Sequence, residues 1–74
     1  MTRLPVLGGP ELVSLLRRFG YEVDRQTGSH IVLRNIAPPH RRLTVPNHRT
    51  IAKGTLRAIL RHAGIRPEDL TRSG

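Results

Sequence analysis

The chain contains no cysteine and no tryptophan, and only five of its 74 residues are acidic. Without cysteine there are neither disulfides nor thiolate metal sites. Phe19 and Tyr21 are its only aromatic side chains. That is too few for a single-strand binder that stacks successive bases on rings, and too few for an aromatic membrane belt. Long apolar runs are also missing. Leu4 to Leu7 is interrupted by Pro5 and followed by Gly8 and Gly9, so it is neither a signal-peptide core nor a transmembrane span. A cytoplasmic location with no membrane partner is expected. The length fits one domain over residues 1–74, with its core between about residues 9 and 64, a loose lead-in and a loose tail. Its core is thin, so function is expected on an exposed face rather than in a deep pocket.

Positive charge dominates what is present. Thirteen Lys and Arg against five Asp and Glu give a formal net charge of +8 and a pI near 11.9. This favours a polyanionic partner: nucleic acid first, an acidic protein second, anionic lipid last. With so few rings, backbone and phosphate contacts would carry most of the binding.

The hydrophobic pattern predicts α-β-β-β-α. Gly9, Pro10 and Glu11 open a helix, with proline in the first turn and a carboxylate at the positive end of the dipole. Leu12, Leu15, Leu16 and Phe19 follow on one stripe, and Gly20 is the stop. Tyr21 to Gln26 alternates as a half-buried strand, with Tyr21 and Val23 on its apolar side, and Thr27 and Gly28 turn the chain. Residues 30–36 return as a second strand, 37–40 form a stiff Pro-Pro connection, and Arg41 to Val45 make a third strand ended by Pro46. A second amphipathic helix over Gly54 to Ala63 turns Leu56, Ile59, Leu60 and Ala63 inward, with Gly64 at its end. Pro67 to Leu70 suggest one short turn before the tail. The expected core is Leu12, Leu15, Leu16, Phe19, Ile31, Leu33, Leu43, Val45, Leu56, Ile59 and Leu60. Two helices on one face of a three-stranded antiparallel sheet bury both stripes.

Strand parity then sets the outer face. With Ile31, Leu33, Leu43 and Val45 inward, His30, Val32, Arg34, Arg42 and Thr44 face outward. Gly28, Ser29 and His30 thus deliver one imidazole to the mouth of a strand amid arginines. Imidazole is the side chain whose ordinary pKa lets it exchange protons near neutrality. The bland alternative is that His30 merely fills an edge position.

Two motifs carry a resemblance. The first is Gly20-Tyr21 followed by Gly28-Ser29-His30. The second is Val45-Pro46-Asn47-His48, then Lys53-Gly54-Thr55-Leu56 leading into Ile59 and Leu60. Together, between about Gly9 and Gly64, they resemble the HicA toxins of bacterial toxin–antitoxin pairs. The resemblance implies a double-stranded-RNA-binding-domain-like fold and an endoribonuclease (mRNA interferase) that cleaves mRNA. It also implies His30 as the essential catalytic residue, and a HicB-like antitoxin as the protein partner.

Cleavage of this kind uses RNA's own nucleophile. A base takes the proton of a ribose 2′-OH, that oxygen attacks the adjacent phosphorus, and a 2′,3′-cyclic phosphate and a 5′-OH result. A histidine serves as that base or as the acid for the leaving oxygen, and cations stabilise the phosphorane. Arg34, Arg42 and Lys53 are candidates for that role. Ser29 is a candidate for orienting the histidine or a phosphate, and Arg57 joins Lys53 and Arg61 in a basic stripe on the second helix. Each is equally readable as an ordinary solvated charge or turn residue. Of the other histidines, His48 shapes a loop or assists, His40 is expected in solvent, and His62 complements a helix C-terminus. No His pair has zinc-site spacing, so no metal and no small-molecule cofactor are expected. Lys53-Gly54-Thr55 lacks the earlier glycine of a phosphate loop. The rival function is a non-catalytic module that binds double-stranded RNA through its basic face, and a third is a protein-interaction domain for an acidic partner. His30 within Gly-Ser-His separates the first reading from both.

Overall fold

The computed structural model describes residues 4–71. Helix α1 spans Gly9–Arg17, strands β1, β2 and β3 span Tyr21–Thr27, His30–Asn35 and Arg42–Pro46, helix α2 spans Lys53–Ala63, and a short α3 spans Pro67–Thr71. The three strands form one antiparallel sheet in the order β1-β2-β3, the expected α+β, double-stranded-RNA-binding-domain-like arrangement.

Local chemistry sets the boundaries. Glu11 reaches back to accept the Gly8 backbone N–H at 2.9 Å, which satisfies one orphan donor at the start of α1. Asp69 repeats the device at α3 by accepting the Arg66 N–H at 3.0 Å. At the other end of α2, Gly64 adopts a left-handed φ of 73°. Its N–H donates to the Arg61 carbonyl at 3.1 Å, and the Ile65 N–H donates to the Leu60 carbonyl at 2.9 Å. This is a full Schellman closure, in which the residue after the glycine folds back onto the helix. Ile65 is accordingly buried.

The core lies between the helices and the inner sheet face. Leu12, Leu16, Leu33, Val45, Leu56 and Leu60 are essentially sealed from solvent, and Tyr21, Ile51, Ile65 and Leu70 join them from outside the expected set. Two expectations are corrected. Phe19 is 36% exposed, because α1 ends at Arg17 and the turn through Gly20 carries the ring out of the helical stripe; Val13 is buried in α1 instead, and Leu15 is only half-buried. Val23 is 39% exposed although it pairs with the buried Leu33. The pairing slips between Val23 and Arg25, a bulge that inserts Asp24 and re-aims the strand.

The register confirms the parity of the outer face. His30 pairs with Pro46, Val32 with Thr44 and Arg34 with Arg42, and His30, Arg42 and Thr44 are exposed.

Candidate active site

The β1–β2 hairpin closes in two residues, Gly28 and Ser29. Gly28 takes φ 50°, the positive φ that primed hairpin turns require at their first position and that glycine adopts without strain. The turn is anchored from outside the hairpin: the Asn47 N–H donates to the Ser29 carbonyl at 2.7 Å. The loop after β3 is itself tied to the start of α1. The Gly9 N–H donates to the His48 carbonyl at 2.9 Å, and the Ile51 N–H to the Leu7 carbonyl at 2.7 Å. A Cβ on Gly9 would stand 2.5 Å from the Pro46 carbonyl oxygen and 2.9 Å from Asn47 Cα, so only glycine permits this approach.

His30 therefore begins β2 at a tightly stitched end of the sheet. Its imidazole is exposed, and Nδ1 lies 3.5 Å from Ser29 Oγ, a contact at the long limit for a hydrogen bond. Both major helices start at this end. The α1 N-terminus meets the loop at His48, whereas the far end of α2 is marked by Arg41, whose guanidinium donates to the His62 carbonyl at 2.9 Å. The first turn of α1 contains Glu11, but α2 has no acidic residue in its first turn and no side-chain cap. Its positive dipole end is left uncompensated, with Lys53 adding to it.

The candidate residues divide between the two ends. Ser29, His30 and Lys53 belong to the stitched end, and Arg57 follows Lys53 one turn along the exposed face of α2. Arg34 and Arg42 share the outer face with His30 but sit opposite one another at the far end. Three strand residues lie between His30 and Arg34, so the two are four steps apart, about 13 Å at the usual strand rise. Arg42 also faces Asp24 across β2 at 3.9 Å. Among the described residues, Lys53, Arg57 and Arg61 have no carboxylate within ion-pair distance. The loop contributes Asn47, His48 and Arg49 to the His30 end. Asn47 and Arg49 were missed from sequence, because their position depends on backbone contacts between segments remote in the chain. The expectation for His40 is corrected: it is half-buried at φ 59°, and its Nδ1–H donates to the Asn35 carbonyl at 3.1 Å.

A family model described as "HicA toxin of bacterial toxin-antitoxin" matches residues 9–65. The chain belongs to the HicA toxin family. No curated protein matches it. As a HicA toxin it is one half of a toxin–antitoxin system, and the matched region includes His30, the hairpin turn and the loop after β3 that anchors it. Among the described residues, no helix of this HicA chain is long and apolar enough to cross a membrane. No group of three or more His, Cys, Asp or Glu there is arranged to hold a metal ion.

Proposed function

We propose that this HicA toxin is a metal-independent endoribonuclease that cleaves mRNA with His30 as its catalytic residue, and that a HicB-like antitoxin restrains it by covering His30. The observation that carries the reading is an exposed imidazole on an anchored hairpin turn, on the sheet face without helices, in a member of a toxin family. His30 takes the 2′-OH proton as base or supplies the proton to the leaving 5′ oxygen as acid. As O2′ bonds to phosphorus the P–O5′ bond breaks, leaving a 2′,3′-cyclic phosphate and a 5′-OH. The nucleophile is supplied by the substrate, so the step needs no ion to activate water. Ser29 contacts the imidazole or a phosphate oxygen, and Lys53 with Arg57 draws the strand toward this end. Arg34 and Arg42 bind phosphates further along it.

An alternative is a non-catalytic module for double-stranded RNA. One observation favours it: among the described residues, Ser29 is the imidazole's sole hydrogen-bonding neighbour, so no second acid–base group is preassembled. Incubating the pure chain and His30→Ala with RNA in EDTA separates the two. The expected result is cleavage by the native chain, products ending in cyclic or 3′ phosphate, and none by the variant, which still binds RNA. Equal activity in both proteins, or products with 5′-phosphate, overturns the assignment. The antitoxin surface facing this basic toxin should be net acidic, with association slowing as salt rises. RNA and antitoxin should compete for His30→Ala.

A further inference from the structure

A groove runs between α1 and the inner face of β1 and β2 on the β1 side of the molecule. Val13, Val23 and Ile31 line it together with Gln26, Asn47 and Arg17. It exists because the helix layer leaves β1 partly uncovered: Leu33 is sealed, yet its partner Val23 on the same face is 39% exposed.

We infer that this groove receives a nucleobase of the RNA strand next to the scissile bond, with the Gln26 and Asn47 amides reading its edge. The inference rests on the ribonuclease reading and names how that same site selects its substrate.

The groove's composition matches a base, which has an apolar body and a hydrogen-bonding edge. Val23, 39% exposed, supplies the apolar surface, with the buried Val13 and Ile31 forming the floor beneath it. The two amides each offer a donor pair and an acceptor, and among the described residues neither side chain has a hydrogen-bond partner. Asn35 behaves differently, donating to the Phe19 carbonyl at 3.2 Å and accepting the Ala37 N–H at 2.9 Å. That amide is used by the fold, whereas those of Gln26 and Asn47 are free.

Position connects the groove to the chemistry. Gln26 pairs with Ile31, one residue beyond His30, and the Asn47 N–H holds the Ser29 carbonyl. His30 and the groove lie on opposite sheet faces, separated by the two-residue turn. Gly28 carries no side chain, and a Cβ there would meet nothing within 4 Å, so a strand can step over the turn from one face to the other. Arg17 at the groove supplies a cation for the next phosphate, and no acidic residue lines it. There is also no aromatic ring in the groove on which a base could stack. Recognition therefore falls to edge hydrogen bonds, which distinguish one base from another, rather than to stacking, which every base offers.

The test uses the isotope-labelled full chain and four 2′-O-methyl hexanucleotides, each of a single base, which cannot undergo 2′-OH attack. The side-chain NH2 signals of Gln26 and Asn47 and the backbone amides of Val23 and Ile31 should shift with at least one oligonucleotide. The shifts should be graded among bases and absent with inorganic phosphate. In the active toxin, Gln26→Leu should reduce base discrimination at the cleavage junction by about tenfold, the amount one bidentate amide contact supplies. Shifts confined to α2 and the outer sheet face, or cleavage preferences unmoved by Gln26→Leu and Asn47→Ala, overturn the inference. So does a competing antitoxin peptide that shifts the groove signals when no oligonucleotide does. If the native chain fails to cleave RNA, the ribonuclease reading falls separately, and the NMR signals still report whether a base enters the groove.

Discussion

At the end of the sheet away from His30, polar side chains hold the fold together. The Asn35 amide donates and accepts, the His40 ring binds the Asn35 carbonyl, the Arg41 guanidinium holds the His62 carbonyl, and Arg42 faces Asp24. At the His30 end the bonds between segments are backbone to backbone, and the one side chain that holds structure there is Glu11, on the Gly8 N–H. Ser29 meets Asn47, Gly9 meets His48, and Leu7 meets Ile51, each through N–H and C=O. The side chains of Gln26, His30, Asn47 and Lys53 are thereby left unclaimed by the fold, apart from the long Ser29–His30 contact. Rigidity built from main chain leaves side chains available for chemistry, whereas rigidity built from side chains does not.

Two histidines provide the sharpest break of this comparison. His30→Ala should lower RNA cleavage by roughly two to four orders of magnitude, the range for losing a positioned acid–base group. It should leave thermal stability nearly unchanged, since an exposed ring leaves no cavity. His40→Ala should do the reverse, costing about 1 kcal/mol through one lost hydrogen bond with cleavage retained. Paired thermal melts and cleavage assays check both; a destabilised His30→Ala or an inactive, folded His40→Ala would dissolve the contrast.

Gly9→Ala attacks the backbone stitching itself. The added methyl collides with the Pro46 carbonyl, so the loop must move, at roughly 1–3 kcal/mol for an overpacked site. Because Asn47 anchors the turn that carries His30, cleavage on the proposed reading should fall by more than the folded fraction does. Denaturant unfolding beside specific activity reads the two effects apart, and activity falling only in step with folding would show that the anchor does not position His30.

The smallest effect belongs to Arg42→Ala. An exposed pair such as Arg42–Asp24 is worth little, and its distance from His30 confines Arg42 to phosphate binding. The expected outcome is a salt slope of RNA affinity shallower by about one, with single-turnover cleavage at saturation unchanged. A fall in that rate would bring Arg42 into the chemistry.

How far this was legible in the sequence depended on the range of the contacts involved. Strand parity put His30 outward and Ile31, Leu33, Leu43 and Val45 inward, because alternation is local and survives any packing. The same parity grouped Arg34 with His30, although three strand residues lie between them. The α1 stripe was readable through Leu16 but not at Phe19, where the helix has already given way to a turn. Burial of Ile51, Ile65 and Leu70 had no periodic signal, since they come from a loop, a helix closure and a single-turn helix. Asp24 is one extra residue in β1, and no composition rule marks a bulge that only the partner strand defines. His40 was misread for the same reason, as its partner is the carbonyl of Asn35 at the end of the neighbouring strand.

If His30 is the catalytic group, the contacts that stitch its end also tie activity to the folding order. A two-residue hairpin closes quickly from neighbouring residues, but the bonds from Ser29 to Asn47, Gly9 to His48 and Leu7 to Ile51 close progressively longer loops. His30 is thus in place as sequence early and fixed in space late. Until the segment after β3 has been made and docked, the imidazole is carried on a hairpin without the Asn47 anchor. On the ribonuclease reading proposed above, a ribosome making this toxin holds a harmless chain through most of synthesis. On that reading activity begins only with the completed fold, which is also the first moment an antitoxin that recognises that fold has something to bind.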